Sequence, residues 1–265
     1  MCRKILLLDL DGVILGMTGY HKRNINDLSD ALFILEKWQK SSGEIIITTN
    51  RSPSEMQPIA YLLNIKEGYW ITENGGSFYN VAVGSVIVSK HWIQYADEYV
   101  PNLRQYLKGK VEFHPSNSLI RTMIITPTST EINQYASEKI MPLMTGYKHS
   151  ELFELRVSKI VSIEPKKLSK ETCFEEFITL NRLDFEKDAF FFIADSVRDI
   201  GIARKLSNAN SQIGAVGNSS YEFATYVRGI QNGICAPAST SHHASLVYLL
   251  RCFINNPRAY ARGFD

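Results

Sequence analysis

Residues 5–15 read Ile-Leu-Leu-Leu-Asp-Leu-Asp-Gly-Val-Ile-Leu, and no other stretch constrains the fold as much. Ile5 to Leu8 are consecutively apolar, the pattern of a strand buried on both faces in a helix-covered parallel sheet. Asp9 and Asp11 stand where that strand ends, and Gly12 allows the backbone to turn away. An ionised carboxylate left unpaired beside a core is costly, so two of them here need a partner.

The same grammar continues along the chain. From Asn26 to Lys40, Leu28, Ala31, Leu32, Leu35 and Trp38 fall at helical spacing, with Gly43 just beyond. Residues 44–50, rich in Ile, form a second strand. The next helix opens near Pro53, with Pro58 inside it marking a bend or register limit. Residues 68–76 form a third strand that ends in a glycine turn. Alternation of this kind predicts an α/β domain. The pattern then changes to a helix from Trp92 to Leu107, strands at 110–115 and 119–127 joined by Ser-Asn-Ser, and a helix from about Ser129 to Leu143. Strands at 151–158 and 160–165 follow as a hairpin. After Lys167 the first pattern returns, with a helix from about Ser169 to Leu180, a very apolar strand at 188–195, a helix near 198–206 and a strand at 211–217. Helices near 220–228 and 243–254 close the chain. The expected architecture is α/β: a Rossmann-like parallel-sheet core from residues 1–82 and 166–265, interrupted by an α+β module at 83–165.

With 265 residues, 45% of them hydrophobic, the chain can bury a sizeable core. Its 29 Lys and Arg are interspersed with 27 Asp and Glu, so no basic stripe for nucleic acid is expected. Cys2, Cys173, Cys235 and Cys252 form no C-x-x-C pair, which favours free thiols in a reducing compartment. The apolar run after Lys4 is too short for a signal sequence, and nowhere do eighteen apolar residues run together. The expectation is a soluble cytoplasmic protein that meets neither membrane nor nucleic acid. Composition does not determine its oligomeric state.

Ligands of open parallel sheets gather beyond the carboxyl ends of the strands. Polar residues stand at four such ends: Asp9 with Asp11, Thr48 with Thr49, Glu73 with Asn74, and Asp195, which Asp199 follows one helical turn later. Four carboxylates around one crevice repel and require a counter-charge. Mg2+ supplies it, taking oxygen ligands and keeping positions for water and phosphate. One aspartate can then attack phosphorus, and a second can protonate the leaving oxygen and later deprotonate water. Alone, Asp-x-Asp-Gly also describes an ordinary strand-to-turn transition. Its ordered pairing with "ADSVRD" at 194–199, again after an apolar strand, favours the active-site reading. Thr48 and Thr49 taken alone fit β-branched strand positions equally well.

"DLDGV" at 9–13, "ITTN" at 47–50, a lysine near the re-entry into the core, and "ADSVRD" resemble, in order, the four motifs of the haloacid dehalogenase (HAD) superfamily of Mg2+-dependent phosphotransferases. The similarity spans the chain, because the 83–165 module resembles that family's type IIB cap, and "ITENGG" and "GAVGNSSYEF" are similar to segments of that subclass. Sucrose-phosphate and mannosyl-3-phosphoglycerate phosphatases are the members it resembles in particular. The resemblance implies a Mg2+-dependent phosphomonoester hydrolase that acts through an aspartyl-phosphate on a small phosphorylated sugar or related metabolite. A phosphosugar mutase or a non-catalytic sugar-phosphate-binding regulator on the same fold are the alternatives.

Carried over by motif, the resemblance implies that Asp9 is nucleophile and metal ligand, and that Asp11 is general acid/base and lends its backbone carbonyl to the metal. Thr49 and Asn50 would hold the phosphoryl group, with Thr48 as the fallback. Lys170, rather than Lys166 or Lys167, would neutralise charge. Asp195 and Asp199 would complete the metal site, and Asn218 would approach the phosphate. Two departures stand out: Ala194 where the family has Gly, and Arg198 where it has Asn. Arg198 could pair with Asp199, reach the substrate or weaken metal binding. In the module, Arg121 and Arg156 are candidates to bind a hydroxyl or a second anionic group, with His114 and Glu154 on the same strands; the competing reading is a solvated sheet face. Asn74 is a candidate substrate contact or a turn residue, and Asn218 likewise fits a left-handed turn. His242 and His243 lack ligand partners at useful spacing and are expected to bind no metal.

Overall fold

The computed structural model describes residues 3–15, 25–41, 43–115, 118–126, 131–157, 160–207, 211–240 and 242–255. Its elements run β1 (Lys4–Asp9), α1 (Ile25–Lys40), β2 (Gly43–Thr48), α2 (Met56–Leu62), β3 (Tyr69–Thr72), β4 (Ser77–Asn80), β5 (Val86–Val88), α3 (Val100–Leu107), β6 (Thr122–Ile124), α4 (Ile132–Tyr135) and α5 (Met141–Thr145). They continue with β7 (Phe153–Val157), β8 (Val161–Pro165), α6 (Phe174–Leu180), β9 (Ala189–Ala194), α7 (Ile200–Ser207), β10 (Ser211–Ala215), α8 (Tyr221–Arg228), β11 (Gly233–Cys235) and α9 (His242–Asn255).

Eight strands form one sheet in the order β11-β10-β9-β1-β2-β3-β4-β5, parallel from β11 to β3 and antiparallel at β4 and β5. From β1 the chain builds outward in one direction through β2 and β3, and later in the other through β9, β10 and β11. The strand order therefore reverses between β1 and β9, which is where open α/β sheets bind ligands. Ile5, Leu6, Leu7 and Leu8 are fully buried, as their unbroken apolar run requires. Helices cover the sheet: Trp38 of α1 packs edge-on to Phe191 of β9, and Phe253 of α9 packs on the same ring. No helix among the described residues is long and apolar enough to cross a membrane, and Cys173, Cys235 and Cys252 are free thiols. Cys2 lies outside the described residues.

The smaller sheet, β6-β8-β7, is antiparallel and sorts its side chains by face. Ile124, Phe153, Val161 and Ile163 share one face and pack against Val100, Leu103 and Leu107 of α3 and against Ile132, Ala136 and Ile140. Alternation sends Met123, Glu154, Arg156, Ser162 and Glu164 to the other face. Arg121, one residue before β6, joins them by pairing with Glu164. That second face is largely withdrawn from solvent, with Arg121 6% and Glu164 1% exposed, so the solvated-face reading of Arg121 does not hold.

Several boundaries differ from the sequence expectation. Residues 110–115 contribute only bridge contacts at Val111 and Phe113, and the paired part of 119–127 shrinks to β6. The Ser-Asn-Ser turn lies partly outside the described residues. The helix expected from Ser169 begins at Phe174, because residues 170–173 form a turn that delivers Lys170 inward. Pro58 occupies the first turn of α2, where a missing N–H is tolerated, so no bend is needed. Strands β4, β5 and β11 are too short to show a period in the sequence, and the chain leaves the large sheet only after Val88.

Between β3 and β4, Glu73, Asn74 and Gly75 all take positive φ (51°, 56° and 95°). A Cβ on Gly75 would stand 2.4 Å from the Ser169 carbonyl oxygen and 3.0 Å from Lys170 Cα, so this turn packs directly against the lysine's backbone. Gly84 also has positive φ (68°), but a Cβ there meets nothing nearer than Tyr79 Oη at 3.7 Å. Gly75→Ala should therefore cost about 2–4 kcal/mol, and Gly84→Ala about 1 kcal/mol from backbone strain alone. Urea midpoints check this, and equal losses at the two sites would refute the close-approach argument.

Candidate active site

The register of the central strands brings the polar strand ends together. Asp9 lies level with Thr48 of β2, and Leu8 lies level with Ile193, so Asp195 emerges beside Asp9 from β9. Asp199 returns to the same place because residues 197–199 form a single tight turn after Asp195. One carboxylate oxygen from each of Asp9, Asp195 and Asp199 lies within 4.8 Å of the others, and all three residues are buried.

Lys170 enters this cluster from the turn before α6, only 1% exposed. Its Nζ donates to Asp9 Oδ1 at 2.8 Å and to Asp199 Oδ1 at 2.7 Å. Ser196 Oγ donates to Asp199 Oδ2 at 2.7 Å and fixes that carboxylate. Burial opposes the charge on Lys170, but Asp199 and Asp9 outweigh it and raise the ammonium above its ordinary value. Burial likewise pushes Asp9 well above the usual carboxylate range; Lys170 lowers it, while Asp199 and Asp195 raise it further. Burial first and Asp199 second raise Asp195 to about 6. Three clustered carboxylates against one ammonium leave excess negative charge, and every donor is a carboxylate oxygen. That set fits a hard divalent cation such as Mg2+.

Asp11, expected in the same crevice, does not join the three-carboxylate cluster. Arg51 Nη2 donates to Asp11 Oδ1 at 2.8 Å, and Arg51 Nε lies 3.2 and 3.0 Å from its two oxygens, while Nη1 reaches Glu55 Oε1 at 3.1 Å. Sequence reasoning missed Arg51, although it directly follows "ITTN" and an arginine beside a paired carboxylate motif was a usable signal. Thr49 Oγ1 accepts the Arg51 backbone N–H at 3.1 Å, which keeps the hydroxyl proton available to a ligand. Thr48 Oγ1 and Asn50 Oδ1 are buried without a protein hydrogen-bond partner.

Two residues considered for substrate contact donate to backbone carbonyls. The Asn74 amide, 2% exposed, donates to the Leu168 carbonyl at 2.9 Å, tying the glycine turn to the segment that carries Lys170. Asn218 Nδ2 donates to the Gly12 carbonyl at 3.2 Å and holds the loop after Asp11. His243 supports that loop too, its Nε2 2.7 Å from the Ile14 carbonyl, a role its sequence position did not reveal. Glu73 is fully buried and accepts the Leu119 N–H at 2.7 Å and hydroxyls from Ser77 and Ser118, which ties the two sheets' connection to the core. Arg121 Nη2 donates to the Asn50 carbonyl, so the polar face of the small sheet abuts the loop after β2. Arg156 pairs with Glu154 and Glu164, and His114 is exposed.

An open parallel sheet that reverses order beside β1, with buried carboxylates and a lysine at that point, defines a Rossmann-like α/β protein with a cation-accepting crevice. Residues 6–194 match the family model of the haloacid dehalogenase-like hydrolases, and the chain belongs to that family. Similar folds include a haloacid dehalogenase-like hydrolase from Bacteroides thetaiotaomicron (12% identity, TM-score 0.64, covering 94% of this chain and 98% of that one). A Thermoplasma acidophilum protein (12%, 0.65, covering 96% and 99%) and the sucrose-phosphatase of Synechocystis (18%, 0.56, covering 96% and 99%) share it as well. No curated protein sequence matches the chain.

The raised Asp195 pKa carries a sign. The native carboxyl holds its proton to about pH 6, whereas an unfolded aspartate releases it near 4, so the native state binds more protons in between and stability falls as pH rises. In chelator-treated protein, Asp195→Asn should therefore be more stable than the wild type above pH 6, by on the order of 2 kcal/mol, and the difference should shrink toward pH 4. Thermal melts across that range measure it; a difference independent of pH would refute the assignment.

Proposed function

We propose that the chain is a Mg2+-dependent phosphatase that hydrolyses small phosphomonoesters, such as phosphorylated sugars, in the cytoplasm through an aspartyl-phosphate on Asp9. The observation that carries the reading is the buried bridge from Lys170 to Asp9 and Asp199 with Asp195 alongside, at the sheet's switch point. Family membership and the sucrose-phosphatase of similar fold, solved with sucrose and phosphate, support it. Residues 1–82 and 166–265 form the catalytic core in this reading, and 83–165 the cap that selects substrate.

Asp9, Asp195 and Asp199 would hold Mg2+, with the Asp11 carbonyl as a further oxygen donor. When bound, the cation supplies charge that keeps Asp9 ionised and offsets the charge of the transferring phosphoryl group. Lys170 holds Asp9 Oδ1, leaving Oδ2 to form the bond to phosphorus as the ester P–O bond breaks. Thr48 and Thr49 would donate their hydroxyls to the phosphoryl oxygens, with the Asn50 N–H groups beside them, and Thr48 Oγ1 is buried without another partner. Asp11 gives its proton to the departing alkoxide, then takes one from the water that attacks phosphorus, and inorganic phosphate leaves with Asp9 restored. Arg51 holds the Asp11 carboxyl in position.

Phosphate release from an aryl and an alkyl phosphate with added Mg2+ tests this. Asp9→Asn should abolish both activities. Asp11→Asn should lower kcat for the alkyl ester by about 10²–10⁴-fold, and less for the aryl ester, whose leaving group needs no proton. An active Asp9→Asn protein would sink the nucleophile assignment, and isomer interconversion without phosphate release would indicate a mutase.

A further inference from the structure

On the polar face of the small sheet two arginines meet two glutamates, and a third arginine approaches from the core. Arg121 Nη1 lies 3.5 Å from Glu164 Oε1, which also accepts Ser162 Oγ at 2.7 Å. Arg156 Nε lies 3.1 Å from Glu164 Oε2, close enough for an ion pair but without hydrogen-bond alignment, and the same group donates to Glu154 Oε1 at 2.8 Å. Arg198 belongs to the core, on the tight turn 197–199 after Asp195, near enough for the charges of Glu164, Arg156, Arg121 and Asp199 to act on it. Burial pulls its pKa down, Arg156 and Arg121 add to that effect, and Glu164 and Asp199 oppose it. Arg121 and Arg156 thus share Glu154 and Glu164, and Arg198 lies near them with no carboxylate of its own in contact.

Two features point to a ligand rather than to a closed network. Arg198, half-buried, makes no hydrogen bond or ion pair with any described residue. Arg121, 6% exposed, has a buried Nε with no hydrogen-bond partner. A buried donor without a partner is costly, a half-buried cation without one less so, and a planar guanidinium fork matches the oxygens of a carboxylate or phosphate. The cluster also adjoins the reaction site. Arg121 Nη2 donates to the Asn50 carbonyl, in the loop proposed to hold the phosphoryl group, and Arg198 directly precedes Asp199, the partner of Lys170.

We propose that Arg121, Arg156 and Arg198 receive a second anionic group of the substrate, so that the molecule hydrolysed is a phosphomonoester that also carries a carboxylate or a further phosphate. The inference rests on the phosphatase reading for the reaction, while the selectivity itself is a property of binding. Glu164 and Glu154 hold Arg121 and Arg156 in place until the anion arrives, and the phosphate ester of an otherwise uncharged sugar leaves Arg198 unpaired.

Two matched substrate pairs test it with the full-length protein and Mg2+: 3-phosphoglycerate against glycerol 3-phosphate, and fructose 1,6-bisphosphate against fructose 6-phosphate. In at least one pair kcat/KM should favour the doubly anionic member by about tenfold or more, the worth of one charge-assisted hydrogen bond. The pair that discriminates identifies the anion. Arg198→Asn and Arg156→Gln should each reduce that ratio to about threefold or less, and Arg198→Lys should restore part of it. Calorimetry on Asp9→Asn protein measures the same preference without turnover. Selective binding by a protein that hydrolyses neither member would uphold the anion site and remove the phosphatase reading. Turnover with ratios near one in both pairs, or ratios unchanged in both arginine variants, would overturn the anion site and leave the phosphatase reading standing. Absence of binding by either doubly anionic compound would overturn it as well.

Discussion

The bridge from Lys170 to Asp9 and Asp199 is the constraint around which the rest is arranged. An ammonium this deeply buried is tolerable only between carboxylates, and carboxylates this close are tolerable only with an ammonium and a further cation. Neither partner could be placed without the other. The surrounding structure serves that exchange. Ser196 fixes Asp199, Asn74 and Gly75 press the lysine's segment inward, and Asn218 and His243 hold the loop after Asp11. Most of these contacts end on backbone carbonyls, so they set the position of the clustered carboxylates and lysine without occupying their oxygens.

A second electrostatic layer sits above the first. The small sheet gives its apolar face to its own helices and turns a charged face toward the core, which buries Arg121 and Glu164 almost completely. Burial of charge in that place is expensive unless it is matched, and the matching is incomplete on the positive side. The lower layer, rich in carboxylates, fits a cation, and the upper layer, rich in guanidinium groups, fits anions. A phosphomonoester with its metal would lie between surfaces of opposite sign.

Much of the carboxylate cluster was legible in the sequence because its residues interrupt patterns. Asp9 and Asp195 end unbroken apolar strands, and strands of that kind must be neighbours in a parallel sheet whose polar ends collect on one side. Asn74 and Asn218 were legible as special positions but not in their roles, because the same amide can meet a substrate or a carbonyl, and only packing chooses. Arg51 was missed since an arginine after a strand reads as a solvated residue until its fork is seen around Asp11. The short strands β4, β5 and β11 were illegible for a different reason: three or four residues cannot display a period of two.

The sequence by itself determined the α/β class, the order of the motifs and the identity of the carboxylates and lysine at the crevice. Apolar runs and their polar stops are local properties of the chain. Tertiary structure alone decided which of those groups touch: that Asp11 pairs with Arg51 apart from the other three carboxylates, that Lys170 joins Asp9 to Asp199, and that Arg121 and Arg156 meet on Glu164. Most of those meetings join residues tens to more than a hundred positions apart. Charge interactions depend on distance and burial, neither of which exists until sheet register and packing have set them.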